Sequence, residues 1–208
     1  AEFVVRGDGH GTLPPDYTSL AVEARDRTGA DVVGGVQSAT GAPGTQQAVA
    51  MAMSSRLGVG NSRFHYGGSA GPSDTVYLGV FRRSALDRVG GFDETLLRNQ
   101  DYELNWRIRD SGGEVWFEPA MVVTYRPRPS LRALASQYRQ YGTWKRVMLK
   151  RHPRSLRARQ LVAPVMVVGV TGTAAVAAWT EDPRWLLPAV TYAAAVTVGG
   201  LAAGRSAP

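Results

Sequence analysis

Two long stretches near the C-terminal end of this chain carry no charged side chain: Gln160 to Thr180, and Trp185 to Gly204. Each is close to the roughly 20 residues that a helix needs to cross a hydrocarbon core. A pair of helices buried inside a soluble protein satisfies the same composition, since both runs are rich in Val, Ala and Gly. The flanks favour the bilayer. Thr180-Glu181-Asp182-Pro183-Arg184 is a short polar turn, and Trp179 and Trp185 sit where interfacial aromatics belong.

Charge sharpens this division. The chain of 208 residues has a net charge of +7, but the excess is concentrated. Between residues 126 and 159 lie Arg126, Arg128, Arg132, Arg139, Lys145, Arg146, Lys150, Arg151, Arg154, Arg157 and Arg159, with no acid among them. Residues 1–125 are left slightly acidic. One basic block beside an acidic domain suggests an element that binds a surface, and not a uniformly basic nucleic-acid binder. Aromatics do not alternate with these arginines as a single-strand platform requires. The block directly precedes the first apolar run, so the positive-inside rule puts residues 1–159 in the cytoplasm and the polar turn outside. Ala1 opens directly onto a strand-like run, so no signal peptide is expected here. The chain has no cysteine, which excludes disulfide frameworks, thiolate nucleophiles and Cys-type zinc sites.

The first 125 residues alternate strand and helix signals. Glu2–Arg6 is a short β-type run ending in the turn Gly7-Asp8-Gly9-His10-Gly11. Pro14-Pro15-Asp16 opens a helix to about Thr28, closed by Gly29. Asp31–Gln37 reads as a buried strand, Thr45–Arg56 as a small-residue helix, and 58–71 as a glycine-rich stretch without period. Thr75–Phe81 is a strand, Arg83–Val89 a helix stopped by Gly90-Gly91, and Asp101–Ser111 a helix stopped by Gly112-Gly113. Glu114–Phe117 and Met121–Tyr125 are strands separated by Pro119. Ser130 then caps a long helix whose Leu131, Leu134, Tyr138, Tyr141 and Trp144 lie mostly on one face, with arginines opposite. Such a helix suits a membrane interface, or docking on its own domain, or both. Alternation of this kind indicates an α/β layer fold.

The most informative chemistry lies at Arg98-Asn99-Gln100-Asp101-Tyr102-Glu103. It places the carboxylate of Asp101 in the first turn of a helix, just after a Gly-Gly-Phe-Asp-Glu loop. A helix N-terminus favours the charged form of an acid, which suits a general base. Glu103 and Arg107, four residues apart, read as a structural helix pair.

The ordered set Val4-Val5-Arg6-Gly7-Asp8-Gly9-His10, Asp31-Val32-Val33-Gly34-Gly35, Asp74-Thr75-Val76-Tyr77-Leu78-Gly79, Phe81-Arg82-Arg83, Val89-Gly90-Gly91-Phe92-Asp93-Glu94 and Asn99-Gln100-Asp101-Tyr102-Glu103-Leu104-Asn105 resembles family 2 glycosyltransferases of the GT-A fold. Within that family it is most similar to the membrane-attached glucosyltransferase branch of succinoglycan-type exopolysaccharide synthesis. The resemblance runs from about residue 2 to 160. It implies a Rossmann-like GT-A domain lacking its first βα units over 1–129, a basic amphipathic interfacial helix over 130–159 and a transmembrane helical hairpin over 160–208.

It also implies residue roles. Asp101 matches the family's catalytic base, which takes the proton of the acceptor hydroxyl in an inverting transfer. Asp8 and His10 match the metal-diphosphate turn. There the family's Asp-x-Asp has become Asp-x-His, which keeps a ligand atom but drops a negative charge. Physically, a nucleotide-sugar donor leaves as a diphosphate whose charge must be neutralised, and a divalent ion (Mn or Mg) on hard oxygen and imidazole ligands does this as a Lewis acid. Asp74 and Thr75, with Asn99 and Gln100, fall where the resemblance puts parts of the sugar or acceptor pocket. Gln137 and Trp144 stand in for the Gln-x-x-Arg-Trp of processive members, in a weakened form that argues against a processive synthase. Tyr125 occupies the place where many members carry a further His.

The resemblance therefore implies a hexosyltransferase of the bacterial inner membrane, its catalytic domain cytoplasmic. The donor is a nucleotide diphosphate sugar, expected to be a UDP-sugar carrying glucose; the acceptor is a lipid-linked saccharide, and membrane lipids rather than nucleic acid are the further partners. Because the nucleotide grip of a GT-A fold precedes the metal turn, the stretch by itself is expected to be inactive. A non-catalytic membrane-anchored remnant that binds a partner is the alternative.

Overall fold

A computed structural model describes residues 1–8 and 11–205. The chain divides into two compact units, Ala1–Ser155 and Leu156–Pro208.

The first unit is built on one mixed sheet. Its strands are β1 (Phe3–Val5), β2 (Gly11–Thr12), β3 (Val32–Ala39), β4 (Gly71–Pro72), β5 (Tyr77–Arg82) and β6 (Val115–Tyr125). They lie in the order β1-β5-β3-β6-β2, with β4 also on β6. The β3–β6 pair is parallel, and the other pairings are antiparallel. Alternation along the strands sends side chains to opposite faces. Val33, Val80, Met121 and Val123 meet Tyr17, Ala21 and Ala24 of α1 (Tyr17–Thr28). Val32, Phe81, Val115 and Phe117 meet Leu86 of α5 (Arg83–Val89) and Leu104 and Ile108 of α6 (Gln100–Asp110). Both faces are thus covered by helix, and the α/β layer expectation holds.

The remaining helices of this unit are α2 (Thr45–Ser54), the short α3 (Arg56–Val59) and α4 (Arg63–Tyr66), α5 (Arg83–Val89), α6 (Gln100–Asp110) and α7 (Leu131–Arg151). Gly29 ends α1 with φ +77°, a left-handed closure that only glycine adopts without strain. Ser130 caps α7, its side chain accepting from the Ala133 amide at 3.2 Å.

Two expectations are corrected. The glycine-rich stretch 58–71 contains α4 and the first residue of β4, with α3 ending just inside it, so it is more ordered than its lack of periodicity implied. The strands expected on either side of Pro119 are one strand, β6. The register against β3 jumps from Gly34–Phe117 to Val36–Val122, so Pro119 lies in an irregular stretch where no ladder bond is asked of it. Gly35 makes this possible: a Cβ there would lie 1.8 Å from the Met121 carbonyl oxygen.

The second unit contains α8 (Val162–Thr180) and α9 (Leu187–Arg205), joined by a 3-10 turn at Pro183–Leu186. The stretches Ala158–Thr180 and Pro183–Ala202 are long and apolar enough to cross a membrane, and almost none of either is buried. Trp179 and Trp185 are exposed, as are Val165, Val168, Leu187, Val190 and Val198. In water this much exposed aliphatic surface is unfavourable, and in lipid it costs nothing. By length, composition and exposure these two helices suit a membrane.

Candidate active site

The site forms where the end of β1 meets the start of α6. Beyond β1, the Arg6 amide donates to the Gly79 carbonyl at 3.2 Å, extending the pairing with β5. This holds the Arg6 side chain between two acids. Its guanidinium forms an ion pair with Asp101 and lies 5.1 Å from the Phe92 ring centre. Burial lowers the Arg6 guanidinium from its ordinary value, and the nearby Asp8 carboxylate opposes the shift. Asp8 in turn accepts a hydrogen bond from the Tyr77 hydroxyl at 3.3 Å. Burial, reinforced by Asp8, pushes the Tyr77 phenol up. Arg6 thus pairs with Asp101 and feels the charge of Asp8, so two carboxylates far apart in sequence act on one arginine. His10 lies outside the described residues. Among those described, no group of three or more His, Cys, Asp or Glu is arranged for a metal ion.

The backbone beside this cluster is strained. Leu78 is buried with φ +43°, unusual for a bulky residue, and the Tyr17 hydroxyl fixes its carbonyl at 2.7 Å.

Asp101 owes its position to the turn before it. Asn99 has φ +63°, a left-handed conformation that asparagine tolerates, and the chain enters α6 immediately after. The Asn99 amide donates to the Tyr141 carbonyl at 3.3 Å, and Arg98 Nε donates to Gln140 at 3.2 Å, so this turn is tied to α7. Gln100 bonds back to the Leu96 carbonyl.

Glu103, two residues after Asp101, has a different environment. It is 1% exposed and accepts two 2.7 Å bonds from Arg107 and a 2.9 Å contact from His152 Nε2. Arg107 also donates to the carbonyls of Val89 and Gly91. This buried network joins the loop after α5, α6 and the end of α7, and gives the expected Glu103–Arg107 helix pair a wider role. Trp106 stacks on His152 with ring centres 4.3 Å apart.

The other residues singled out by sequence lie elsewhere. Thr75 is buried and accepts from Asn105 Nδ2 at 3.0 Å, fastening the start of β5 to α6; Asp74 precedes it, half-buried. Gln137 is buried on α7, donating to Tyr141 Oη at 2.9 Å and Tyr125 Oη at 3.4 Å. Trp144 is half-buried two turns further along the same face of α7. Gln137 also lines a cavity of about 290 Å³ with Arg98, Arg128, Ala133, Ser136 and Gln140. Sequence reasoning missed Arg6, Arg98 and Arg128. Arg6 and Arg98 are visible as isolated basic residues and Arg128 as one of the basic block, but nothing in a linear pattern shows which charge an arginine will meet.

Comparison with known proteins bears on this geometry. Residues 73–205 match the family model "Glycosyl transferase family 21". The chain belongs to that glycosyltransferase family. It is 32% identical over 169 residues to the succinoglycan biosynthesis protein ExoA of Rhizobium meliloti, an alignment covering 79% of this chain and 51% of that protein. It is also 33% identical over 90 residues to the pre-mycofactocin glycosyltransferase of Mycobacterium tuberculosis, covering 43% of this chain and 18% of the relative. The chain thus spans about half the length of ExoA. The resemblance drawn from the motifs is met at the level of glycosyltransferase and of kinship with a succinoglycan biosynthesis protein.

Proposed function

We propose that the protein to which this chain belongs transfers a hexose, glucose by preference, from a nucleotide diphosphate sugar to a lipid-linked saccharide in exopolysaccharide or cell-surface glycan synthesis. The observation that carries the reading is the convergence of Asp8, Arg6 and Asp101. A transfer site needs positive charge for a diphosphate leaving group next to a carboxylate that takes a proton. Asp101 removes the proton of the acceptor hydroxyl. The hydroxyl oxygen bonds to the anomeric carbon as the bond to the diphosphate oxygen breaks, and the nucleotide diphosphate departs. One displacement on the face opposite the leaving group inverts the anomeric configuration, the mechanism of family 2.

A single described carboxylate, Asp8, fits a magnesium-type ion, which is usually held by one or two carboxylates together with substrate phosphates. Asp8 and His10 would hold it, and it would neutralise the leaving diphosphate. Arg6 keeps Asp8 and Asp101 from facing each other as uncompensated like charges.

Features of α7 support the membrane setting of this reading. Gln137 and Met148 dock it on its own unit, while Leu131 and Tyr138 stay exposed. Arg132, Arg139, Arg146 and Lys150, all exposed, line another face. Exposed apolar and basic faces on one helix suit an anionic lipid surface, consistent with a cytoplasmic domain at the bacterial inner membrane.

The test uses the full-length protein in native membranes. Asp8→Asn should abolish divalent-ion-dependent binding of UDP-glucose. Unchanged metal-dependent binding in that variant would refute the assignment, and a wild-type protein that binds no nucleotide sugar would favour a partner-binding remnant.

A further inference from the structure

The cavity beside Gln137 has a chemistry that the transfer reaction, as described above, does not use. Arg98 comes from the turn entering α6, Arg128 from the segment between β6 and α7, and Ala133, Ser136, Gln137 and Gln140 from the first half of α7. Both arginines are half-buried, and neither makes an ion pair among the described residues. Arg98 donates one hydrogen bond, from Nε to Gln140. No carboxylate lines the cavity. The charge of both arginines is felt at the Tyr141 hydroxyl, where burial raises the phenol and the two guanidiniums oppose it. That hydroxyl is already engaged by Gln137.

Two uncompensated guanidiniums, the Ser136 hydroxyl and the Gln140 amide around one concavity make a site for an anion with several oxygens. A guanidinium meets a phosphate in bidentate geometry, and half-burial strengthens the contact. The location identifies the bearer of that phosphate. Arg98 stands three residues before Asp101, and the lining helix is the one that exposes Leu131, Tyr138 and the basic stripe. We propose that this cavity binds the diphosphate that joins the acceptor's saccharide to its lipid, and so sets how far from the lipid the reacting hydroxyl lies. The proposal rests on the lipid-linked acceptor reading above.

The experiment measures binding to the full-length protein in phosphatidylcholine nanodiscs, without donor. The probes are geranylgeranyl diphosphate, geranylgeraniol and UDP. Replacing both arginines (Arg98→Gln with Arg128→Gln) should weaken geranylgeranyl diphosphate by about tenfold or more, the loss of at least one charge-assisted contact. Geranylgeraniol and UDP should bind as before. Ala133→Leu, which keeps both arginines and fills the cavity, should have the same effect, so misfolding of one variant does not decide the outcome. Unchanged diphosphate affinity in both variants would overturn the proposal. So would a parallel loss of UDP, which would assign the arginines to the donor, or full displacement of the probe by phosphatidylglycerol in the nanodisc, which would make the cavity a general headgroup contact. Diphosphate binding that depends on the arginines, in a protein that transfers sugar to no polyprenyl-linked acceptor, would instead sink the acceptor reading alone.

Discussion

Asp101 and Glu103 stand two residues apart at the start of α6, and the protein surrounds them in opposite ways. Glu103 is 1% exposed, and Arg107 and His152 satisfy its oxygens from two directions. The Asp101 side chain is 34% exposed and has Arg6, an arginine shared with Asp8, beside it. A buried acid with every oxygen occupied cannot accept another proton without breaking its network, so it holds structure. An acid at an open edge, balanced by one cation that a diphosphate also attracts, can exchange partners as a reaction proceeds. Helical position alone does not distinguish the two, since both acids lie in the first turn.

The contrast makes ordered predictions for stability. The largest effect belongs to the buried side. Glu103→Ala leaves Arg107 and His152 without their acid and should cost about 3–5 kcal/mol, as removal of one partner of a buried pair does. Thermal unfolding of the full-length protein checks this; a change within about 0.5 kcal/mol, the size of an ordinary surface substitution, would erase the distinction between the two acids. Next, Thr75→Val strands the Asn105 amide in the core and should cost about 1–3 kcal/mol. A raised KM for the donor with unaltered stability would instead return Thr75 to the sugar pocket.

A third effect concerns whether burial assigns titratable groups to structure in general. Burial lowers the His65 imidazole to about 4, and its Nδ1 has no hydrogen-bond partner among the described residues. The unfolded chain has an ordinary histidine near 6.5 and binds the proton more readily. Stability from the neutral ring is therefore complete above about pH 6.5 and lost progressively as pH falls toward 4. The melting temperature should decline over that window less steeply in His65→Gln than in the wild type. Parallel curves would contradict it.

Much of this was legible in the sequence, because it depends on local pattern. Gly29, Gly90 and Ser130 mark helix ends through backbone conformation and capping, and the two charge-free runs mark α8 and α9 through composition. The division of β6 at Pro119 was misread because the irregularity is absorbed by Gly35 on a neighbouring strand. Asp8 and Asp101 were visible as motif positions. Arg6 stood in the same motif as Asp8, but its pairing with Asp101 was not legible, because β1 pairing with β5 brings it there. His152 escaped notice as a partner of Glu103 for the same reason, lying 49 residues away.

On the proposed reading, Asp101 serves the chemistry while Glu103 serves the fold. The most direct test is the turnover of Asp101→Asn in the full-length protein, measured as transfer of labelled glucose from UDP-glucose to lipid-linked acceptor in native membranes. The expected result is a loss of about 10²–10⁴-fold, the contribution of a positioned general base, with nucleotide-sugar binding and melting temperature retained. Near-normal transfer by Asp101→Asn would contradict it.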